Sequence, residues 1–509
     1  MIALATRRPP AGGFSRRGAC PALSAPMQTG DGLLVRLNPV AGGLSPVQLV
    51  GVCDAAERHG NGVVEVTARG SVQVRGLTES SAEQFAAAVN ELGIAVRTGV
   101  PVQTGVLAGL DPEEIADPTR LAEAIRAGIT EAGLEGRLGP KVSVVVDGGG
   151  RTALDEVSAD VRLTGIASGA SSAWQVAIAG DGTTARALGV ADGDEAACQA
   201  ALLLLSAIAG MGREARARDL DAERLSTVLD FEVGRSMPPP SGLPAISPTR
   251  GEIVPSPAIS PISDLAVKGA PLKPLISPLV GEMAGRPEGR AKERGLAGSL
   301  IGTVGLRGGM VALGIALPFG HTSAKLLKAF AEAAQKLGVG DIVPAPGRTL
   351  VAICATVEQA EALRKQAQTL DFLTFPDDPR QAISACPGAP ECASGHIPAR
   401  RIAAEIASTN SDLLDGSVHL HVSGCAKGCA HPASSDLTIV ASERGTGLVF
   451  DGTARDEPLA FQDNSGAGRG LANVAARVSA ERQAGETTAQ TIKRIALSAL
   501  AEAFGKGRQ

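Results

Sequence analysis

Short apolar runs and helical periods alternate along this chain in an order that repeats. Residues Gly32–Leu37 (GLLVRL) read as a strand, 45–59 as a helix opened by Ser45 at its N-cap, Val63–Val66 as a second strand, and 71–76 as a third after the turn at 68–70. The same succession returns at 311–317 (VALGIAL), 323–337, 342–343 and 349–355, the last two strands flanking Pro-Gly-Arg. Such a duplication predicts an α+β molecule with a pseudo-twofold axis, in which a ligand between the halves touches residues from both. Helical spacing at 112–132 and 196–211, and a strand at 142–147 running into Gly148, Gly149 and Gly150, predict a second domain after the first unit. Residues 236–298 are rich in Pro, Gly and Ser without a sustained period, and read as a flexible insertion without catalytic role. From 451 the chain is polar until 488–504, where the spacing predicts a closing amphipathic helix.

The 509 residues are enough for two or three separate cores. With 2% aromatic residues, one Trp and no Tyr, those cores are filled by Ala, Val, Leu and Ile, and tyrosine chemistry is excluded. A net charge of −5 gives no general basic field, which argues against a nucleic-acid partner. The longest apolar stretch, 200–211, is too short to span a bilayer and reads as a buried helix. No membrane partner is expected. The first twenty residues, with Arg7, Arg8, Arg16 and Arg17, lack the apolar run of a secretory signal, so the expected location is cytoplasmic. In that reducing compartment the eight cysteines read as ligands, reactive thiols or small core residues.

Four of them are paired. ACPGAPECASG (385–395) and HLHVSGCAKGCAHP (419–432) put five residues between Cys386 and Cys392, then thirty-two before Cys425, and three between Cys425 and Cys429. Four thiolates in two pairs suit a [4Fe–4S] cubane, which takes one terminal thiolate per iron. Gly388, Gly395, Gly424 and Gly428 let bare backbone wrap it closely. Structural zinc is the alternative; the second pair fits a zinc knuckle and the first is too widely spaced. Cys53, Cys198 and Cys354 lie in regular patterns and read as core residues, whereas Cys20 sits in an open Gly-Ala-Cys-Pro segment where a ligand role stays open.

At these cysteine pairs the sequence resembles the sulfite and nitrite reductase superfamily, whose members hold a cubane on such pairs beside a tetrapyrrole. The resemblance implies an internally duplicated α+β fold of ferredoxin-like half-domains and two α/β domains. It divides the chain into an N-terminal segment (1–27), half-domain 1 (28–100), domain 1 (101–235), the insertion (236–298), half-domain 2 (299–372), a cluster-binding domain 2 (373–450) and a tail (451–509). The family's Arg before a Gly-Gly turn and its Arg-x3-Gln motif match Arg36 before Gly42-Gly43, and Arg69 with Gln73 in TARGSVQVRG. The resemblance assigns Arg36, Arg69, Gln73, Arg75, Lys141 and Lys427 to binding a tetrapyrrole, whose carboxylates call for permanently charged, bidentate partners. Sulfite reductases carry Lys-x-Lys where this chain has Lys141-Val142-Ser143, so the second lysine is missing.

GACPALSAPMQTGDGLLVRL (18–37), GPKVSVVVDGGG (139–150) and HVSGCAKGCAHP (421–432) look most like the precorrin-3B synthases, the cobalamin-pathway branch of the superfamily. That resemblance implies a monooxygenase whose tetrapyrrole, precorrin-3A, is a substrate hydroxylated at C20 with γ-lactone formation. It further implies a [4Fe–4S] cluster, a mononuclear non-haem iron, O2 as co-substrate and NADH as formal electron donor. His421 and His431 are candidate iron ligands, with His396, His419, Asp377, Asp378 and Asp436 nearby in sequence, although no facial triad of two His and one carboxylate can be read off. Catalytic residues beyond these are not identifiable from the pattern. No Gly-x-Gly-x-x-Gly joins a strand to a helix, so electrons are expected through a separate reductase or carrier protein. Two other readings are a sirohaem-dependent sulfite or nitrite reductase and an iron–sulfur electron-transfer subunit.

Overall fold

Each half of the chain builds two sheets, and the second half repeats the first. The computed structural model describes residues 21–220, apart from 41, 153, 156, 169 and 170, and residues 300–505. Cys20, nearly all of the first segment and the insertion at 236–298 lie outside the described residues.

In the first unit Met27–Thr29 (β1), Gly32–Leu37 (β2), Val63–Val66 (β3) and Val72–Leu77 (β4) pair antiparallel in the order β1-β2-β4-β3. Pro46–His59 (α1) and Glu79–Glu91 (α2) cover one face. α1 starts where Ser45 accepts the Gln48 N–H and the Gln48 side chain returns to the Ser45 N–H, a reciprocal cap followed by Pro46 in the first turn. Next come Val102–Thr104 (β5), Val144–Asp147 (β6), Ala159–Ser168 (β7), Ser171–Gly180 (β8) and Arg186–Ala191 (β9), which lie in that order with β5 to β7 parallel and the rest antiparallel. Thr119–Glu131 (α3) crosses from β5 to β6, and Gly193–Gly210 (α4) follows β9.

The second half opens with Gly302–Gly305 (β10) and Val311–Ala316 (β11). It continues through His321–Ser323 (β12), Ala324–Lys336 (α5), Ile342–Ala345 (β13), Thr349–Cys354 (β14) and Val357–Thr369 (α6). β10, β11, β14 and β13 form one sheet, while β12 leaves it to pair with β3 of the first unit, placing His321 opposite Glu65. In return Leu44 and Ile342 exchange backbone hydrogen bonds of 3.0 and 2.9 Å. The two units therefore share one core, in which Val35, Val52 and Phe85 join Leu313, Phe330 and Leu363. Lys328 of α5 meets Asp54 of α1 at 2.6 Å.

Ile383–Ala385 (β15), Leu420–Ser423 (β16), Ser435–Ser442 (β17), Gly445–Gly452 (β18) and Ala460–Gln462 (β19) reproduce the strand order and directions of β5 to β9. Ala399–Thr409 (α7) crosses from β15 to β16. The duplication thus covers both sheets of each half, an extension beyond what periodicity showed.

Three segments differ from expectation. The helix read at 112–132 begins only at Thr119, because carboxylates hold the preceding chain as a loop. Asp111 accepts the Glu113 N–H at 2.9 Å, Glu114 the Gly109 N–H at 2.8 Å, and Asp117 the Thr119 N–H at 2.9 Å. The stretch after 451 is not uniformly polar surface. It supplies β19 and Ala467–Glu481 (α8), whose Leu471, Val474 and Val478 bury in one core with Leu420 and Ile439. The closing helix is two, Thr488–Arg494 (α9) and Leu497–Gly505 (α10), interrupted where Ile495 turns extended. Among the described residues no helix is long and apolar enough to cross a membrane.

Candidate iron–sulfur and tetrapyrrole site

Because β15 and β16 run parallel, the loops leaving their C-terminal ends emerge side by side, and these loops carry the four paired cysteines. The His396 N–H donates to Gly424 O at 2.9 Å, and the Gly424 N–H donates to Cys386 Sγ at 3.2 Å, joining the two loops. Within the first loop Cys392 N–H reaches Gly388 O at 2.7 Å and Ala389 N–H reaches Ile397 O at 2.8 Å. A Cβ on Gly388 (φ +74°) would stand 2.2 Å from Ile397 O, and one on Gly424 would stand 3.0 Å from Gly388 Cα. Glycine is required there for backbone to meet backbone.

All four thiols are free. Burial pushes Cys386 above the usual thiol range, with Cys425 and Cys392 adding to the effect, while the Gly424 and Gly388 N–H groups oppose it. Burial likewise raises Cys429, again with Cys425 and Cys392 contributing. Each thiol pair therefore feels the other, at a spot where bound iron would hold thiolates. Neighbouring thiols on two adjoining loops, sulfur-directed N–H groups and a glycine-lined approach suit a [4Fe–4S] cluster. Among the described residues no three His, Cys, Asp or Glu side chains converge on a point that would hold a single metal ion.

The first half has the same pair of loops without cysteines. By the register of Val102 with Val144 and of Ile383 with Leu420, Gly105 and Gly149 occupy the places of Cys386 and Cys425. The Ile115 N–H donates to Gly148 O at 2.9 Å, as the His396 N–H does to Gly424 O. Carboxylates organise these loops instead: Asp111 accepts the Arg151 N–H at 2.6 Å, and Glu114 packs against the glycine run. Burial pushes the Glu114 carboxyl up to about 7, against the Gly109 N–H and Arg307 and with help from Asp117 and Asp111.

Beside the cysteine loops lies a buried ionic network from the first sheet. Arg36 Nε donates to Gln73 Oε1 at 2.8 Å, and Gln73 Nε2 donates to Glu65. Arg75 grips Asp31 through Nε and Nη2 at 3.0 and 2.8 Å, stands 3.6 Å from Glu65, and donates to Glu391 O. Arg400 of α7 meets Glu65 at 2.6 Å. Burial alone would raise Glu65, but Arg400 and Arg75 hold it below the usual carboxylate range.

The structure thus brings Arg36, Gln73 and Arg75 together beside the cluster loops, with Arg75 already committed to protein partners. Arg69 is exposed on its turn, whose backbone bridges to Pro346. Lys141 is exposed in the segment leading into β6, on a different sheet. Lys427 Nζ donates to Ser394 Oγ at 2.6 Å, and with His396, Cys425 and Arg455 it lines a recess of about 490 Å³.

The histidines separate by role. His419 lies between Ser435 Oγ at 3.0 Å and Ser384 Oγ at 3.1 Å, and its N–H reaches Asp436 at 2.8 Å. His431 stacks 4.4 Å from His419 and 5.8 Å from His421, with Nε2 3.3 Å from Ser434 O. His421 is fully buried, its two ring nitrogens make no hydrogen bond, and burial, then His431 and Arg348, lower it to about 4. His396 and Asp377 are exposed, and Asp378 is bound to Arg380. No triad of two histidines and a carboxylate is assembled from these residues, so the arrangement does not by itself frame a mononuclear iron site. Sequence reasoning missed Arg348 and Arg400. Arg348 belonged to the Pro-Gly-Arg turn, read only as a turn, and its contact with the cysteine loop is a tertiary event that no local pattern signals.

The duplicated fold sets four paired thiols next to a group of basic side chains. The family of the nitrite/sulfite reductase ferredoxin-like half domain matches residues 25–92. The chain is 33% identical over 492 residues to a precorrin-3B synthase of Sinorhizobium sp., covering 97% of this chain and 95% of that protein. The solved structure of the Mycobacterium tuberculosis NirA protein superimposes with a TM-score of 0.64 at 17% identity, covering 92% of this chain and 84% of NirA, which shows a common fold. This chain belongs to the nitrite and sulfite reductase superfamily, within its precorrin-3B synthase family.

Proposed function

We propose that this chain is a precorrin-3B synthase, which uses O2 to hydroxylate precorrin-3A at C20 and closes the γ-lactone in aerobic cobalamin biosynthesis. The observation that carries this reading is the likeness to a precorrin-3B synthase along nearly the whole of both chains. The cysteine loops beside Arg36 and Gln73 support it chemically, since they would set a macrocycle with acidic side chains against an electron source. A [4Fe–4S] cluster on Cys386, Cys392, Cys425 and Cys429 would supply electrons singly, which triplet O2 requires.

The chain's own residues bind and orient. Arg36 and the exposed Arg69 meet substrate carboxylates, and Lys141 and Lys427 are further cations in this reading. Gln73 and Arg75 hold the surrounding network in place. For the mononuclear iron of the family, His421 is the imidazole with both nitrogens open, and His431 stands beside it. NADH is the formal donor, its electrons delivered by a separate reductase or carrier, and the protein works in the cytoplasm.

The test is to purify the protein without air, record its absorption spectrum, add precorrin-3A, then air and an NADH-driven reductase, and weigh the product. Conversion by a protein lacking sirohaem absorption supports the proposal. Bound sirohaem with unaltered precorrin-3A overturns it in favour of a sulfite or nitrite reductase.

A further inference from the structure

Arg348 ends the turn between β13 and β14 in a left-handed conformation, φ +64°, that non-glycine residues adopt at a cost. Its stem passes over Gly320, where a Cβ would lie 2.5 Å from Arg348 Cδ, so that glycine leaves room for the arginine to extend. The guanidinium then donates from Nη2 to Ala430 O at 2.6 Å and from Nη1 to Ser384 Oγ at 3.3 Å. Ala430 follows Cys429, and Ser384 lies two residues before Cys386. One cation of the second half thus ties the second cysteine loop to the strand that leads into the first.

Unlike Arg75, which has Asp31 and Glu65 at hand, Arg348 has no carboxylate within ion-pair distance among the described residues. Its partners are a carbonyl and a hydroxyl, and the neighbouring charged side chains are Arg400 and Glu65, the Glu65 carboxylate being already paired with Arg400 and Arg75. A guanidinium that shares its one neighbouring carboxylate with two others is costly to hold in a desolvated place unless something more negative accompanies it. A reduced cluster carries one more negative charge than an oxidised one, and an adjacent cation favours the reduced form.

We propose that Arg348 is a positioning residue for the cysteine loops whose positive charge raises the reduction potential of the cluster they hold. This rests on the cluster assignment above. Arg348 touches backbone next to the ligands and acts on the cluster through that backbone and through its field.

The test uses the full chain, reconstituted with iron and sulfide under anaerobic conditions. Iron and acid-labile sulfide per chain are measured first, then the midpoint potential in a redox titration followed by EPR. Wild type, Arg348→Lys and Arg348→Gln are compared after circular dichroism confirms their folding. Gln keeps a polar amide but has no charge, so its potential shifts lower; Lys keeps the charge, so its potential stays near wild type. Should Arg348→Gln fail to fold or to retain its cluster, Arg348→Met and Gly320→Ala, which displaces the arginine stem, are expected to shift in the same direction. Equal potentials in wild type and the uncharged variants, or a fall with Lys as large as with Gln, overturn the proposal. A wild-type chain that takes up neither iron nor sulfide overturns the cluster assignment itself, a different and recognisable failure.

Discussion

Arg75 Nη2 donates to the carbonyl of Glu391 at 3.0 Å, linking β4 of the first half to the residue immediately before Cys392. The same guanidinium is held by Asp31 and lies beside Glu65, and Gly30, next to Asp31, comes so near the loop that a Cβ there would stand 2.5 Å from Ala393 N. The first half thus forms a wall against which the first cysteine loop is set. Replacing Arg75 with Met removes the fork and leaves two carboxylates in a site where the arginine side chain is 6% exposed. Loss of one partner from such a buried pair costs about 3–5 kcal/mol. The denaturation midpoint is expected to fall accordingly, and iron to leave faster on exposure to a chelator.

Gly388 makes a separate prediction about the loop itself. Ala at this position has to adopt φ +74° and push against Ile397 O. The strain is about 1–3 kcal/mol and falls on the loop that presents Cys386 and Cys392. Iron and sulfide content is expected to drop in Gly388→Ala, while far-UV circular dichroism stays close to wild type.

Arg36 bears on ligand binding with little bearing on the fold. It is half-buried and donates to Gln73 at the edge of the network. Arg36→Met is expected to weaken tetrapyrrole binding roughly tenfold, about 1.4 kcal/mol, measured by absorption titration. Thermal stability should change little.

Glu114 gives a pH dependence with a definite sign. Its carboxyl is raised to about 7 from an ordinary 4.5, so between those values the folded protein holds a proton that the unfolded chain releases. Stability from this group is therefore full below pH 4.5 and declines as pH rises through 7. Glu114→Gln keeps an oxygen for the Gly109 N–H and cannot ionise. It is expected to be more stable than wild type by about 1–3 kcal/mol at pH 8, with the advantage vanishing near pH 4.5, in paired denaturant titrations.

The half-domains were legible because their elements are long enough to show a period and are punctuated. Ser45 with Gln48 and Pro46 mark the start of α1, and the glycines near 60 and 70 end the elements on either side of β3. The spacing of the four cysteines singled out two loops that the parallel strands β15 and β16 place side by side. The repeat of the second sheets was not, since β5 and β15 are three residues each and fully parallel strands lack alternation. α8 was passed over because alanine, glycine and arginine dilute its stripe of Leu471, Val474 and Val478. The network of Asp31, Glu65, Arg75 and Arg400 joins residues more than three hundred positions apart, and no local pattern can announce such a pairing.

The central claim is that this scaffold oxygenates a tetrapyrrole, and the most direct test is the mass of the product formed from precorrin-3A under oxygen-18 gas with an NADH-driven electron donor. The account predicts a product carrying one atom of the heavy isotope, at the mass of the hydroxylated lactone. Recovery of unlabelled, unchanged precorrin-3A from a protein shown to hold its iron and sulfide would contradict it.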